Sequence, residues 1–137
     1  ENALKIAIRN AHKNNIKVNF FKSNWFSNVT KKYDVIVGNP PYVSDKDYLD
    51  LPKDIKNFEP KVALVGGQDG LNCYRIIAKS IANYLNDDGL AFFEIGQGQL
   101  HSVSRIFQEV GFLPYKIYKD FDKNERVLCV KKDALFE

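Results

Sequence analysis

A chain of 137 residues, 45% hydrophobic and 27% charged, suits one soluble domain with its own core. No apolar run nears the roughly 20 residues that cross a bilayer, and no signal-peptide pattern opens the sequence. The net charge of +3 is thinly spread, with no block of five like charges, which argues against a dedicated nucleic-acid-binding tail.

Leu4, Ala7, Ile8 and Ala11 recur at helical spacing and predict an amphipathic helix that Asn14-Asn15 ends. The chain holds no methionine and opens within this helix, so the sequence is expected to be a piece of something longer. Val18 to Phe21 predicts a short strand, and Ser23 to Lys32 a polar loop carrying the single tryptophan, Trp25. Tyr33 to Gly38 is an apolar run, broken only by Asp34, of the kind found in a parallel strand buried on both faces. A stretch of roughly 30 residues follows before the next helical pattern, and connections that long are functional or disordered. Its Phe58-Glu59-Pro60 and Gly66-Gly67-Gln68-Asp69-Gly70 have ordered-turn chemistry, which favours function.

Leu71 to Asn86 predicts a second helix, with Asp69 as its N-cap and Asp87-Asp88-Gly89 as its stop. Leu90 to Ile95 predicts a buried strand, with Glu94 at its end either facing a site or simply solvated. Leu100, Val103, Ile106, Phe107 and Val110 predict a third helix closed by Gly111. Leu113, Tyr115 and Ile117 alternate as a strand, and Val127 to Val130 is the last strand. The order α-β-β-α-β-α-β-β implies an α/β fold, a mostly parallel sheet ending in an antiparallel edge hairpin. Cys73 and Cys129 lie among apolar neighbours and read as reduced core residues of a cytoplasmic protein. His12 and His101 lack partners at metal spacing and read as surface residues, so no metal site is expected.

The chemistry concentrates where the apolar run stops, at Asn39-Pro40-Pro41-Tyr42. In open α/β sheets, ligands bind beyond the carboxyl ends of the strands. Two prolines remove two backbone donors and fix the chain, and Pro41 biases Pro40 to an extended conformation. The Asn39 side-chain carbonyl and the Pro40 backbone carbonyl are then two acceptors able to take both hydrogens of one NH2 group. Tyr42 offers a flat face on which a planar group can lie; stacking needs its ring and not its hydroxyl. Such a clamp localises the lone pair of an amide or aromatic amine nitrogen and turns it into a nucleophile. The plain alternative is a proline-stiffened surface turn.

"NPPY" resembles the substrate motif of S-adenosylmethionine-dependent amino methyltransferases. With "SNWF" before it, "FEPKVALVGGQDGLNCYR" after it and "DKNERVLCVKK" near the end, the chain from Asn2 to Lys132 resembles the HemK/PrmC family, the peptide chain release factor glutamine N5-methyltransferases. The resemblance implies a Rossmann-like methyltransferase fold and methylation of a glutamine in the Gly-Gly-Gln loop of release factors. It makes Asn39, Pro40 and Tyr42 the catalytic residues, with Pro41 completing the substrate site. It places Trp25 near the cofactor's adenine and Asn39 beside the donor methyl, while Asn24 stands where the family usually has an acidic residue touching the adenine amine. Glu59-Pro60 is expected to shape the loop over the substrate, and Asn124-Glu125-Arg126 to form an edge-hairpin turn with a salt bridge. Gly66-Gly67-Gln68 resembles the substrate loop only by coincidence.

The family's glycine-rich cofactor loop and the acidic residue ending its second strand have no counterpart here. Residues 1–137 are therefore expected to be the C-terminal portion of a class I methyltransferase domain without its first two strands. Those strands belong between Val18–Phe21 and Tyr33–Gly38, leaving a gap in the sheet and an enzyme that is incomplete as it stands. The implied partners are release factors, with nucleic acid met only through the ribosome, no membrane, and a monomeric state when complete. The alternatives are a nucleic-acid amino methyltransferase of the adenine N6 type and a catalytically inert fragment.

Overall fold

The computed structural model describes residues 2–136. It divides into two compact units, residues 1–30 and 31–137.

In the first unit, α1 (Asn2–Lys13) ends as the paired asparagines predict. Asn15 takes a left-handed conformation, φ 54°, and the Ile16 N–H reaches back to the Ala11 carbonyl at 2.9 Å, closing the last turn. No residue of α1 is buried. The strand expected over Val18–Phe21 does not form; the segment is irregular. A strand exists only through a ladder, and no described strand pairs with this segment.

The second unit carries β1 (Tyr33–Gly38), three short helices α2 (Asp45–Asp50), α3 (Lys53–Phe58) and α4 (Lys61–Leu64), then α5 (Asn72–Ile81), β2 (Leu85–Glu94), α6 (Leu100–Gln108), β3 (Phe112–Lys119) and β4 (Glu125–Lys132). The sheet order is β1-β2-β4-β3. β1 and β2 are parallel, while β4 runs antiparallel to both its neighbours, so the expected closing hairpin is present.

β1 departs from expectation. Val35 is 56% exposed and Val37 77%, so the strand is not buried on both faces. Within the described sheet β1 is an edge: β2 pairs with one side of it, and α6 packs against β3 and β4 further in. The alternating Leu113, Tyr115 and Ile117 also sit on an edge strand and are exposed. Burial is greatest where strands have neighbours on both sides, and three successive residues of β4, Leu128, Cys129 and Val130, are buried. They join Ala91 and Phe93 of β2, Ile95 just after it, Ile77 and Ile81 of α5, and Val103 and Phe107 of α6 in the core. The Phe93 and Phe107 rings stack with centroids 5.0 Å apart, pinning α6 to the sheet. Both cysteines are free and buried, and burial pushes their thiols up.

The second helix is shorter than its apolar pattern predicts. It ends at Ile81, and Leu85 already pairs with Tyr33. Burial of Leu85 in the sheet prevails over another helical turn. Asp87-Asp88-Gly89 is consequently no helix stop but an irregularity within β2, where two steps of β1, Tyr33 to Val35, are matched by five of β2, Leu85 to Leu90. Asp69 is not the N-cap either, since Leu71 holds that position. Its carboxylate instead accepts from the Leu71 N–H at 3.1 Å and from Arg75 Nη1 at 3.0 Å, tying the loop to the first turn.

Two expectations follow. Phe107→Ala removes the stacked ring and leaves a cavity, so stability falls by about 3–5 kcal/mol in urea unfolding. The Arg75 guanidinium holds Asp69 well below the carboxylate range, at about 2. The stabilisation from this pair is present above the ordinary aspartate value, about 3.9, and is lost as pH falls through about 2. A carboxyl-carbon NMR titration places the Asp69 midpoint near that low value, and Arg75→Ala returns it to the ordinary range.

Candidate functional site

β1 ends at Gly38, opposite Phe93 of β2, so two parallel strands finish side by side. Asn39 therefore leaves the sheet at the end where α/β proteins bind ligands, next to Glu94. Pro40 is buried, Pro41 and Tyr42 are half-buried, and Asn39 is exposed. A hollow of about 130 Å³ lies along the corner, lined by Asn39 to Val43 with Ala63 and Leu64. Among the described residues, neither the Asn39 side chain nor the Pro40 carbonyl takes part in the hydrogen bonds that hold the corner.

Those bonds come from the long connection, which is ordered. Each short helix has a local start: the Ser44 hydroxyl caps α2 by accepting from the Asp47 N–H at 3.0 Å, and Pro52 and Pro60 precede α3 and α4. Glu59-Pro60 joins α3 to α4, a part in loop architecture. After α4 the chain returns beside the corner. Val43 N–H donates to Leu64 C=O at 2.9 Å, Gly66 N–H to Val43 C=O at 2.9 Å, and Asp45 N–H to Gly67 C=O at 3.0 Å.

The glycines of this return are fixed by close approach. A Cβ on Gly66 would lie 2.5 Å from the Pro41 carbonyl oxygen, and one on Gly70, at φ +75°, 2.3 Å from that of Tyr42. Backbone cannot yield at such distances, so only glycine lets the return pack against the corner.

The Tyr42 hydroxyl, to which the stacking reading gave no part, is engaged. It donates to Glu94 Oε1 at 2.9 Å, and Tyr74 OH donates to the Glu94 backbone carbonyl at 2.6 Å. Burial first, then the bond to Glu94, push the Tyr42 hydroxyl above its ordinary value, so it remains a donor. Glu94 is not simply a solvated strand end, since its carboxylate accepts from the Tyr42 hydroxyl. Gln99, the N-cap of α6, also reaches in: its Nε2 donates to the Tyr42 carbonyl at 2.9 Å. No sequence signal marked Gln99, because its partner lies 57 residues away.

Arg126 pairs with Asp120 at 2.9 Å across the β3–β4 turn, the salt bridge expected there, although the sequence did not identify Asp120. His12 and His101 are exposed, as expected.

Asn24 and Trp25 belong to the first unit and are described within it. The Ser23 hydroxyl donates to the Trp25 carbonyl at 2.8 Å and accepts from the Asn28 N–H at 3.0 Å, holding Trp25 at φ 53°. The indole is half-buried and Asn24 is exposed. Asn24 serves the turn through its backbone, donating to Ser27 Oγ at 3.1 Å. Its carboxamide is in none of the turn's hydrogen bonds, so an indole face and an amide edge are both on offer.

A family model described as "Methyltransferase small domain" matches residues 1–55. Solved structures of similar fold include a methyltransferase from Pyrococcus furiosus, with TM-score 0.69 and 21% identity over 95% of this chain and 57% of that one. A ribosomal protein L11 methylase from Lactobacillus delbrueckii subsp. bulgaricus gives TM-score 0.62 and 19% identity over 94% and 52%. The fold is thus that of a methyltransferase, in part. Among curated relatives, the release factor glutamine methyltransferase of Fusobacterium nucleatum is 45% identical over 96% of this chain and 38% of its own length. That of Agrobacterium fabrum is 39% identical over 95% and 46%. The chain spans less than half the length of these two relatives. By sequence, the chain is similar to the release factor glutamine methyltransferases along almost the whole of its own length and a part of theirs.

Proposed function

We propose that this chain is the amide-holding part of an enzyme that methylates the side-chain nitrogen of a glutamine in peptide chain release factors, in the cytoplasm. The observation that carries the reading is the corner itself. Asn39 and Pro40 stand at the carboxyl end of β1 with their acceptors outside the hydrogen bonds that hold the loop, beside a hollow lined by Tyr42. The names of the relatives, over nearly the full chain, support glutamine and release factors as target and partner.

In this reading, Asn39 Oδ1 and the Pro40 carbonyl accept one N–H each from the glutamine amide, and the substrate chain passes over the Tyr42 ring. Holding both hydrogens draws the nitrogen lone pair out of conjugation with the amide carbonyl. Once the nitrogen gains a methyl group it becomes strongly acidic and sheds one hydrogen, so no strong base is needed beforehand. S-Adenosylmethionine, when bound, supplies the electrophilic methyl carbon. Within the first unit, Trp25 and Asn24 would offer the adenine a stacking face and a carboxamide edge outside the turn's hydrogen bonds.

The test incubates the full-length protein that carries this chain with S-adenosylmethionine and a release factor and maps the methylated residue by mass spectrometry. The glutamine of the Gly-Gly-Gln loop gains the methyl group; methyl on DNA or RNA adenine instead would overturn the reading. Asn39→Ala lowers transfer at least about a hundredfold. Retention within about tenfold, roughly 1.4 kcal/mol of barrier, would rule out the clamp. Tyr42→Phe keeps the ring but strands the Glu94 carboxylate; stability falls by about 1.5 kcal/mol in urea unfolding. Transfer by Tyr42→Phe falls too, though less than by Tyr42→Ala.

A further inference from the structure

We infer that Gln99 is a positioning residue that sets the orientation of the substrate-holding corner; this rests on the reading of Asn39–Tyr42 as an amide clamp. Its carboxamide is engaged at both ends. Oε1 accepts from the Gly96 N–H at 3.0 Å, and Nε2 donates to the Tyr42 carbonyl at 2.9 Å. The two bonds assign the amide: its oxygen faces a donor and its nitrogen an acceptor, so the flipped orientation loses both.

The space around this group is matched to it. A Cβ on Gly96 would stand 2.7 Å from Gln99 Oε1, and a Cβ on Gly70 2.8 Å from Nε2. The turn after β2 and the return of the long connection therefore close on the carboxamide from two sides, with glycine at each contact. Gln99 gives no side-chain cap to α6, although it occupies the N-cap position. Its side chain is directed to the corner instead.

The consequence concerns Pro40. Pro41 and Tyr42 follow it directly, and both prolines have restricted φ. With the Tyr42 carbonyl tied to Gln99 and the Tyr42 hydroxyl tied to Glu94, little rotation remains for the peptide planes between. The direction of the Pro40 carbonyl is then set from β2 and α6 as well as from β1. Neither Gln99 nor Glu94 lines the hollow, so neither is assigned contact with substrate.

Gln99→Glu tests this, because it keeps shape and acceptor but loses the donor. Above the carboxylate range a negative oxygen faces the Tyr42 carbonyl; on protonation the donor returns. Amide hydrogen exchange is followed by NMR at Val43 and Gly66, whose N–H groups bond across the corner, with the amides of β4 as reference. Glu94, Tyr42 and Arg126 interact electrostatically at the corner, so the unsubstituted chain is carried through the same pH range and only the difference is read. At pH 7, Gln99→Glu speeds exchange at Val43 and Gly66 at least tenfold with β4 unchanged, and protection returns on acidification through about pH 4–5. Gln99→Ala speeds exchange at both pH values. Unchanged exchange at pH 7, or no recovery in acid, would overturn the proposal. In a second arm, methyl transfer to a release factor by Gln99→Glu falls at neutral pH and is partly restored in acid relative to the unsubstituted protein. Transfer equal to the unsubstituted protein at both pH values would also overturn it. The transfer arm uses the full-length protein that carries this chain; if that protein, unsubstituted, transfers no methyl group to a release factor, the amide-clamp reading fails, and the exchange arm still decides whether Gln99 sets the corner.

Discussion

Gly38 and Phe93 stand opposite each other in two parallel strands, and the arrangement of the corner depends on that register. Parallel strands finish at the same edge of a sheet, so the turns that follow them emerge as neighbours. The Asn-Pro-Pro-Tyr corner after β1 and the Gly-Gln-Gly-Gln turn after β2 are brought together in this way. The Tyr42–Glu94 and Tyr42–Gln99 bonds bridge 52 and 57 residues of sequence, yet join positions only a few residues beyond paired strand ends. A one-residue slip would turn Glu94 to the opposite face and remove its carboxylate from Tyr42.

The corner is held mainly by backbone and by small residues. Val43 is clasped between Leu64 and Gly66, and Gly66 and Gly70 lie against the carbonyls of Pro41 and Tyr42. Few side-chain rotamers need freezing in such a contact, so the entropy of ordering falls on the backbone, where two prolines have already reduced it. Behind it, the Phe93–Phe107 stack and the buried run of β4 supply the apolar burial that anchors β2 and α6.

Legibility in the sequence followed the range of the interaction. α6 showed in its own periodicity, as did the Asn15 stop of α1, because both are decided within a few residues. The corner was legible because two prolines and an asparagine after an apolar run are a local signal. Glu94 was half-legible, marked by its place at a strand end but not by its partner. Val18–Phe21 had the composition of a strand but no ladder, and Tyr33–Gly38 had that of a buried strand while lying at an edge. Strand burial is decided by neighbours, which composition does not state. Helix α5 was overextended because Leu85 suits a helical stripe and a strand equally well. Gln99 was invisible, since glutamine at the head of a helix is commonplace and its meaning lies in the carbonyl it meets.

Pro40 and Pro41 leave the corner with carbonyls but, at those two positions, no N–H. With Asn39 presenting its carboxamide oxygen rather than its NH2, such a surface discriminates between two side chains of nearly the same shape. A primary amide meets it hydrogen to oxygen; a carboxylate would meet it oxygen to oxygen, with its charge facing unpaired acceptors. Glutamine and its deamidated form, glutamate, differ by this one group. On the proposed reading, the absence of two backbone hydrogens would disfavour a glutamate that had already lost its nitrogen, without any negatively charged residue placed in the hollow to repel it.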